Sequence, residues 1–279
     1  MKIICDAPGQ TCNRLWSYVA TIAECVVKKK KMMIIFFDYT IEVFPNFLNS
    51  SFIYFPLYQK WLLERGNNWN RFKSLTWKAT HNKLMDKIFF LLGFFKGWHT
   101  RRDTKYLAAA KKEIIHIFTP QKEITERISD YIAVIRKTSD VIVGVHIRRG
   151  DYKNWHNGRF LYDFEQYASF MKKVEKLFPE KRVAFFISSN EWFETDVFHG
   201  LSCYRFGKNQ PSAEILDLYA LSECDYIMGP FSTYSRWASF IGETPLCFIE
   251  SANQTFTKES FSIIIDFFHF ANGNEITDW

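Results

Sequence analysis

The sequence predicts an α/β protein built from two Rossmann-like domains that face a central cleft. Two stretches support this prediction, because each runs from a strand through a polar, glycine-containing loop to a helix: one opens the chain and the other begins at Val141. A third observation is the alternation of short apolar strands with helices after residue 180. Since ligands of such parallel sheets bind beyond the carboxyl ends of the strands, the polar residues that follow the strands are the candidate site.

The first domain is expected to span residues 1–138. It opens with the strand KIIC, the loop DAPGQTCN, a helix over RLWSYVATIAECVVKK and the strand MMIIFF, which ends at Asp38. Residues 40–112 mix Phe, Trp, Asn and Lys with little regular period, so loops and short helices are expected there. A helix over 120–138 follows Thr119-Pro120, a helix start signal.

The second domain is expected to span residues 139–250 and to be followed by a tail, 251–279, that packs back on the body. Its strands are predicted at 141–147, 182–188, 226–228 and 246–250. Its helices are predicted at 163–178, 212–223 with Ser212 as the N-cap, and 232–241. The tail contains the strand-like segment FSIIIDFF.

Composition narrows the class of protein. The chain has 279 residues, 47% of them hydrophobic, which is ample for a folded core, and a net charge of +6. Six cysteines occur singly, without a CxxC pair, so a zinc finger is not expected. In the start MKIICDAPGQ, the polar turn DAPG interrupts the apolar run too early for a signal peptide. The run IFFLLGFF at 88–95 is far shorter than the roughly 20 residues of a membrane span. A cytoplasmic protein with reduced thiols is expected.

The segment VIVGVHIRRGDY, residues 141–152, predicts an anion site at the end of a buried strand. The arginine fork matches phosphate bidentately. His146 and Arg148 alternate along the strand and therefore share a face, whereas Arg149 points the other way toward a structural carboxylate. Asp151 follows the turn and either orients an arginine or acts on substrate. The alternative is a solvated turn with no specific role.

A second anion site is predicted at MGPFSTYSRW, residues 228–237, where a tight turn leads into a helix. The free N–H groups of the helix start and the hydroxyls of Ser232 and Thr233 can bind phosphate oxygens; the alternative is a simple helix cap. The N-terminal turn PGQTCNR is a weaker third candidate, since it lacks both the G-x-G-x-x-G and the P-loop pattern.

Asp217, in the helix EILDLYALSE, is either a surface charge or an acceptor for the N1–H and exocyclic amine of guanine. No D-x-D motif is present, and ETD at 194–196 is the nearest approach, so no metal is expected. Arginine and the helix dipole are then expected to neutralise a leaving diphosphate.

These motifs are similar to those of a known group of enzymes. GVHIRRGDY resembles the H-x-R-R-x-D motif of α1,2-, α1,6- and protein O-fucosyltransferases. ILDLYALSECDYIMGPFSTYSR is similar to the third motif of the α1,6 and α1,2 enzymes. PGQTCNRLWSYVA resembles their N-terminal G-G-x-G-N-[QR] loop, with Thr11 in place of the second glycine. FFISSNEWF sits where the α1,2 enzymes carry Ser-Asp-Asp, with Ser189-Asn190 in place of the acidic pair.

The resemblance implies a GT-B fold and a metal-independent, inverting transfer of L-fucose from GDP-L-fucose to a sugar hydroxyl. A galactoside acceptor, an α1,2 linkage and surface polysaccharide synthesis are expected. The donor-binding residues that it implies are His146 and Asp217 for guanosine, Arg148 for the β-phosphate, Ser232, Thr233 and the Tyr234 backbone for phosphate oxygens, and Gly9, Asn13 and Arg14 for phosphate or sugar. Arg148 is also counted as catalytic, because it stabilises the leaving group.

Two residues are the principal candidates for the general base. Asp151 is one, and His156 is the other, because it lies ten residues after His146, where α1,6 relatives carry a carboxylate; an exposed loop histidine is the plainer interpretation of His156. The acids Asp6, Asp38 and Glu24 on the N-terminal side are further alternatives.

The expected partners are the GDP-sugar, a glycan acceptor and an anionic membrane, without nucleic acid. From Lys60 to Lys112 the chain has 13 Lys and Arg against 3 acids, interleaved with aromatic residues, which fits peripheral contact with the membrane and a lipid-linked acceptor. The alternative is an aromatic core with solvated lysines. Two rival functions stay open: transfer from another GDP-sugar, and a non-catalytic nucleotide-binding role in polysaccharide assembly.

Overall fold

The computed structural model of the chain describes residues 1–6, 8–35, 39–55 and 83–277. The chain divides into two compact units, Met1–Gln121 and Lys122–Trp279. The sequence-based boundary at 138/139 differs from this division by one helix, Lys122–Arg136, which packs on a helix and a strand of the second unit. Asp38, Trp61, Trp69 and Trp77 lie outside the described residues.

The first unit contains a four-stranded parallel sheet among its described residues, in the order β3-β2-β1-β4. The strands are β1 (Lys2–Ile4), β2 (Met32–Ile34), β3 (Ile53–Tyr54) and β4 (Phe94–Phe95). The helices are α1 (Thr11–Lys28), α2 (Pro45–Leu48), α3 (Lys83–Leu91), α4 (Gly97–Thr100) and α5 (Leu107–Ile117), with short 3-10 turns at Tyr39–Val43 and Thr104–Tyr106.

Helix α1 is the crossover that the N-terminal pattern predicts. Its apolar residues recur at helical spacing, and the buried face includes Leu15 and Trp16, the latter fully inaccessible to solvent. The helix ends at Lys29, whose left-handed backbone lets its N–H donate to the carbonyls of Cys25 and Val26. The helix packs on α5 and α4 of the same unit.

The second unit contains a five-stranded parallel sheet, in the order β7-β6-β5-β8-β9. The strands are β5 (Val141–Ile147), β6 (Val183–Ser189), β7 (Cys203–Tyr204), β8 (Tyr226–Gly229) and β9 (Leu246–Phe248). The helices are α6 (Lys122–Arg136), α7 (Phe164–Glu175), α8 (Ala213–Ser222) and α9 (Thr233–Gly242), with 3-10 turns at Gly150–Lys153, Trp155–Gly158, Thr195–Phe198 and Lys258–Ser260.

Strand β5 is the centre of this sheet, and all seven of its residues are buried. A run rich in Val and Ile suits a strand that is covered on both faces by crossover helices. It pairs with β6 along its whole length, so that His146 lies opposite Ser188 and Ile147 opposite Ser189. The register therefore brings the polar ends of both strands to one edge of the sheet.

Two local predictions for this unit are wrong. Ser212 does not cap α8: its backbone is left-handed, with φ 53°, and its side chain makes no capping hydrogen bond, whereas a cap requires an extended backbone. The tail forms isolated antiparallel bridges, such as Ile264 with Phe270, in place of a regular strand. It packs on α9, where the buried Arg236 donates to the carbonyl of Phe267.

Candidate active site

Arg148 and Asp151 form an ion pair directly after β5. Arg148 Nε lies 2.8 Å from Asp151 Oδ1, and Nη2 lies 2.9 Å from Oδ2, which makes the ion pair bidentate. Desolvation alone would raise the pKa of Asp151, but the hydrogen bonds and charge of Arg148 outweigh it and lower that pKa. The arginine side chain is 19% exposed and the carboxylate 58% exposed, so an incoming anion can reach the arginine and compete with Asp151 for its fork.

His146 is buried at the end of β5 and lacks a partner for one nitrogen. The residue is 3% exposed, and its Nδ1 has no hydrogen-bond partner in the part of the chain that the structure describes. Its ring packs on Tyr234, with centroids 5.0 Å apart. Burial, assisted by the charge of Arg148, lowers the pKa of His146 to about 3. The imidazole is therefore neutral and has a polar nitrogen that a ligand can satisfy.

Gly229 lets strand β8 approach this histidine. A Cβ at position 229 would lie 2.7 Å from the carbonyl oxygen of His146 and 2.9 Å from its Cβ, and both positions are fixed by the sheet. Only glycine fits there without a shift of the strand. The next turn and α9 are thereby held close to the His146 ring.

Asp217 reaches the same sheet edge from α8. Strand β7 ends at Tyr204, opposite Phe186, so the last residues of β6 extend beyond it. The Asp217 carboxylate lies there near the Ser188 side chain and the Ser189 backbone, and both lower its pKa. Burial raises the pKa of Asp217 to about 7, against the opposing effects of Arg205 and of these two groups. Because Ser188 is the ladder partner of His146, the aspartate and the histidine belong to one cluster.

The turn before α9 places Ser232 as the N-cap of that helix. Its Oγ accepts from the N–H of Tyr234 at 3.1 Å, and the Tyr234 hydroxyl donates to the carbonyl of Glu214 at 2.6 Å. Tyr152, from the loop after β5, donates its hydroxyl to the carbonyl of Phe231. These bonds hold the start of α9 beside the end of β5. The Tyr234 N–H, which the sequence analysis assigns to phosphate binding, therefore donates to Ser232 in this structure.

Arg149 points away from Arg148, as the strand alternation predicts. Its Nε lies 3.5 Å from a carboxylate oxygen of Glu191, and its guanidinium stacks on Phe164 at 4.3 Å. Asn190, which replaces an acidic residue of the similar enzymes, accepts from the Arg149 N–H at 3.1 Å. Glu191 accepts from the N–H of Gly150, also at 3.1 Å. The segment after β6 thus holds the backbone of the motif loop.

His156 lies on the exposed side of this loop. Its backbone is left-handed, with φ 46°, and its ring packs edge-on against Trp155 at 4.4 Å and Phe160 at 6.0 Å. The ring is therefore accessible but is held by aromatic contacts rather than by a carboxylate.

In the first unit, the loop after β1 is closed by its own contacts. Gly9 has φ 48°, and a Cβ there would lie 2.2 Å from the side-chain nitrogen of Asn13. Arg14 Nη2 donates to the carbonyl of Gly9 at 3.0 Å. Gly9, Asn13 and Arg14 therefore form one small loop motif, and their contact with a donor stays a prediction.

Two of the alternative bases, Asp6 and Glu24, have structural partners in the first unit. Asp6 is buried, accepts from the N–H groups of Gly97 and Trp98 at 2.8 and 3.0 Å, and so holds the start of α4. Glu24 pairs with Lys2 and with Lys28, beside the amino end of β1 and away from the loop. Both acids therefore have structural roles, and their assignment as alternative bases stays a prediction.

The family model described as "Glycosyl transferase family 11" matches residues 68–263. The chain belongs to this family. A search of curated proteins finds no match.

Solved structures with a similar fold include a fucosyltransferase. Arabidopsis thaliana FUT1 R284K in complex with GDP is 14% identical, with a TM-score of 0.55, over 99% of this chain and 78% of that chain. NodZ α-1,6-fucosyltransferase soaked with GDP-fucose is 17% identical, with a TM-score of 0.51, over 91% and 96%. POFUT1 in complex with GDP is 12% identical, with a TM-score of 0.50, over 89% and 97%. The predicted fucosyltransferase resemblance and the GT-B-like α/β fold of this family 11 protein are confirmed.

The sequence analysis assigned no role to four residues beside the candidate site: Tyr152, Asn190, Glu191 and Arg205. The first three stand within quoted motifs, but they act through backbone groups of neighbouring loops, which no local pattern indicates. Within the described residues, no cluster of three or more His, Cys, Asp or Glu side chains is arranged to hold a metal ion. None of the described helices is both long and apolar enough to cross a bilayer.

Proposed function

We propose that this family 11 protein is an inverting fucosyltransferase that moves L-fucose from GDP-L-fucose to a glycan hydroxyl. The acceptor that we favour is a galactoside, joined in an α1,2 linkage during surface polysaccharide synthesis. The observation that carries the proposal is a cluster of polar groups at one sheet edge. It consists of the Arg148–Asp151 ion pair, the His146 nitrogen that has no partner among the described residues, the Asp217 carboxylate and the start of α9 capped by Ser232.

The cluster offers complementary groups for each part of a guanosine diphosphate sugar. Asp217 and His146 would bind guanosine, Arg148 the β-phosphate, and the α9 start, through Ser232, Thr233 and the Tyr234 backbone, the phosphate oxygens. The fold neighbours include structures with GDP or GDP-fucose, which supports this class of donor. For the phosphate to reach the arginine, it would share or replace the fork that Asp151 now occupies.

The reaction would be a single displacement at the anomeric carbon of fucose. The bond from that carbon to the β-phosphate oxygen breaks, the acceptor oxygen forms the new bond, and the configuration changes from β to α. The acceptor proton passes to a base. Arg148 and the positive end of α9 would stabilise the charge that grows on the leaving diphosphate, the role that a metal ion has in other transferases.

Asp151 is the base that the geometry favours, and His156 is the alternative. Asp151 is charged at neutral pH, and Arg148 lowers its pKa further; a weak base suffices when the acceptor attacks an oxocarbenium-like centre late. The kcat of Asp151→Asn and of His156→Ala, measured from pH 3 to 9, distinguishes them: the true base variant loses the acidic limb of the profile, which for Asp151 lies below its ordinary pKa of 3.8, and the other variant keeps it.

The test of the function itself uses labelled GDP-fucose and a glycan array, with the linkage determined by NMR. We expect transfer with net inversion to a terminal galactoside. Parallel reactions with GDP-mannose distinguish another GDP-sugar donor. Binding of GDP with neither transfer nor donor hydrolysis would contradict the proposal and support the non-catalytic alternative.

We also propose peripheral contact with an anionic membrane at its cytoplasmic face, where a lipid-linked acceptor would lie. Among the described residues, Lys28–Lys31 are all exposed at the amino edge of the first sheet. On α3 and just after it, Ile88, Leu91 and Leu92 are 42%, 84% and 64% exposed. Co-sedimentation with phosphatidylserine vesicles, reduced at high salt and absent with neutral vesicles, is the expected result.

A further inference from the structure

Tyr152 joins the loop after β5 to the turn before α9. It lies on the 3-10 turn Gly150–Lys153 and is buried. Its hydroxyl donates to the carbonyl of Phe231, and its ring packs on Trp155 with the centroids 4.7 Å apart. Its own N–H donates to the carbonyl of Arg149 at 2.6 Å. The residue is therefore held at its hydroxyl, its ring and its backbone.

The carbonyl that Tyr152 reaches has a fixed place in the second unit. Phe231 is buried, and its ring packs on Phe160 at 5.1 Å and on Phe248 at 4.5 Å. A buried carbonyl requires a donor, and burial keeps the proton on the tyrosine because it raises the pKa of Tyr152 to about 12. At neutral pH the hydroxyl is thus a donor that holds this peptide group in one orientation.

The same bond sets the direction of the next amide. The carbonyl of Phe231 and the N–H of Ser232 belong to one planar, trans peptide group, in which the two point in opposite directions. The Ser232 N–H therefore points away from Tyr152 at the N-cap of α9, where the first N–H groups have no acceptor within the helix. The Tyr234 N–H, in contrast, donates to the Ser232 hydroxyl.

We propose that Tyr152 is a positioning residue that acts through the Phe231–Ser232 peptide. It directs the Ser232 N–H at the diphosphate of the donor and holds the start of α9 beside the loop that carries Arg148. The inference rests on the proposed function, since it requires a diphosphate between Arg148 and α9. It adds the Ser232 amide to the groups that contact phosphate, and it gives the tyrosine of the GDY segment a role in donor binding.

The chain contains a matched control for this tyrosine. Tyr162 is also buried, and its hydroxyl donates to the carbonyl of Ile249, just after β9, at 3.2 Å. Burial raises the pKa of Tyr162 to about 12 as well. Tyr152→Phe and Tyr162→Phe therefore each remove one hydroxyl from a buried carbonyl, and we expect similar losses of stability in the two variants.

Calorimetric titration with GDP at neutral pH is the first measurement. Tyr152→Phe should weaken GDP binding about tenfold, because a hydrogen bond from an amide to a charged group contributes about that much when it is well directed. Tyr162→Phe should bind GDP as the wild type does. Wild-type affinity in Tyr152→Phe, or an equal loss in the two variants, would overturn the inference.

NMR of the full chain labelled with 15N-serine is the second measurement, and a merely structural tyrosine would not affect it. The Ser232 N–H signal, assigned by its absence from Ser232→Ala, should move downfield when GDP is added to the wild type. The movement should be smaller in Tyr152→Phe and unchanged in Tyr162→Phe.

The wild type alone can also refute the role of Tyr152, so the test holds even if Tyr152→Phe fails to fold. A wild type that binds GDP without a downfield movement of the Ser232 N–H signal would overturn the inference and leave the proposed function standing. A wild type that binds no GDP would contradict the proposed function itself.

Discussion

Each parallel sheet of this protein ends in a polar loop that leads into a helix, but the charged groups of the two loops have different kinds of partner. In the first unit, Asp6 accepts from Gly97 and Trp98, and Arg14 donates to the carbonyl of Gly9. The bonds to Asp6 join the loop to the start of α4, and the bond from Arg14 closes the loop on Gly9. The same elements of sequence, a glycine turn and a charged side chain, here serve mainly to hold the fold together.

In the second unit, the polar groups at the sheet edge are only partly satisfied. His146 has a buried nitrogen without a partner among the described residues, and burial holds Asp217 near the point of protonation. Each of these features carries an energetic cost that the fold could have avoided with apolar residues. Unsatisfied groups of this kind mark the edge of the second sheet as the place where a polar ligand completes the structure.

Among the predicted changes, replacement of Arg148 by Ala should have the largest effect, and that effect is on kcat. Loss of one preorganised charge at the leaving group is expected to reduce kcat at least about a hundredfold, with unchanged circular dichroism. Arg149→Ala is the matched control, since it removes the adjacent guanidinium, which instead contacts Glu191 and Phe164. Steady-state fucosyl transfer measures both variants; equal losses in the two would contradict a specific role for Arg148.

Replacement of Asp6 tests the loop of the first unit. Asp6→Ala leaves the buried N–H groups of Gly97 and Trp98 without their acceptor, and should lower the free energy of unfolding by about 2 kcal/mol. Asp6→Asn keeps one acceptor oxygen and should lose less. Denaturant titration measures the change. GDP affinity of the folded variants should match the wild type, and a loss of GDP binding would instead place Asp6 in the donor site.

The sequence predicted the second unit better than the first for a physical reason. Strands β5 and β6 are buried on both faces, so their β-branched and aromatic runs stand out, and β5 begins and ends where predicted. The charged end of β5 was recognisable because two arginines follow the strand directly and Asp151 comes after a single glycine. The first unit has strands of two or three residues, and its segment from 40 to 55 shows little period.

The partners of each site residue could not be predicted, because they depend on tertiary contacts. Nothing local indicates that Asn190 would hold the Arg149 backbone, or that Tyr152 would donate to the Phe231 carbonyl. The error at Ser212 has the same origin: a serine before a helix suggests a cap, but the turn that precedes α8 imposes a left-handed backbone there.

Ser232→Ala should produce the smallest of these effects, and it separates stability from binding. Loss of the cap on α9 should lower the free energy of unfolding by about 1 kcal/mol. Asp163→Ala is the matched control, because Asp163 caps α7 through a bond from the Gln166 N–H at 2.8 Å. We expect a similar stability loss in that variant.

The two cap variants should differ in their affinity for GDP, which calorimetry measures. Ser232→Ala removes a hydroxyl that faces the proposed phosphate position but also frees the Tyr234 amide, which the cap now uses. The freed amide can donate to phosphate, so the loss of affinity should be modest, a few-fold at most, since a neutral hydrogen bond contributes about 1 kcal/mol. Asp163→Ala should bind GDP as the wild type does. Equal GDP affinity in all three proteins would mean that the Ser232 hydroxyl contributes nothing to donor binding, and the comparison of the two sheet edges would then depend on Arg148, His146 and Asp217.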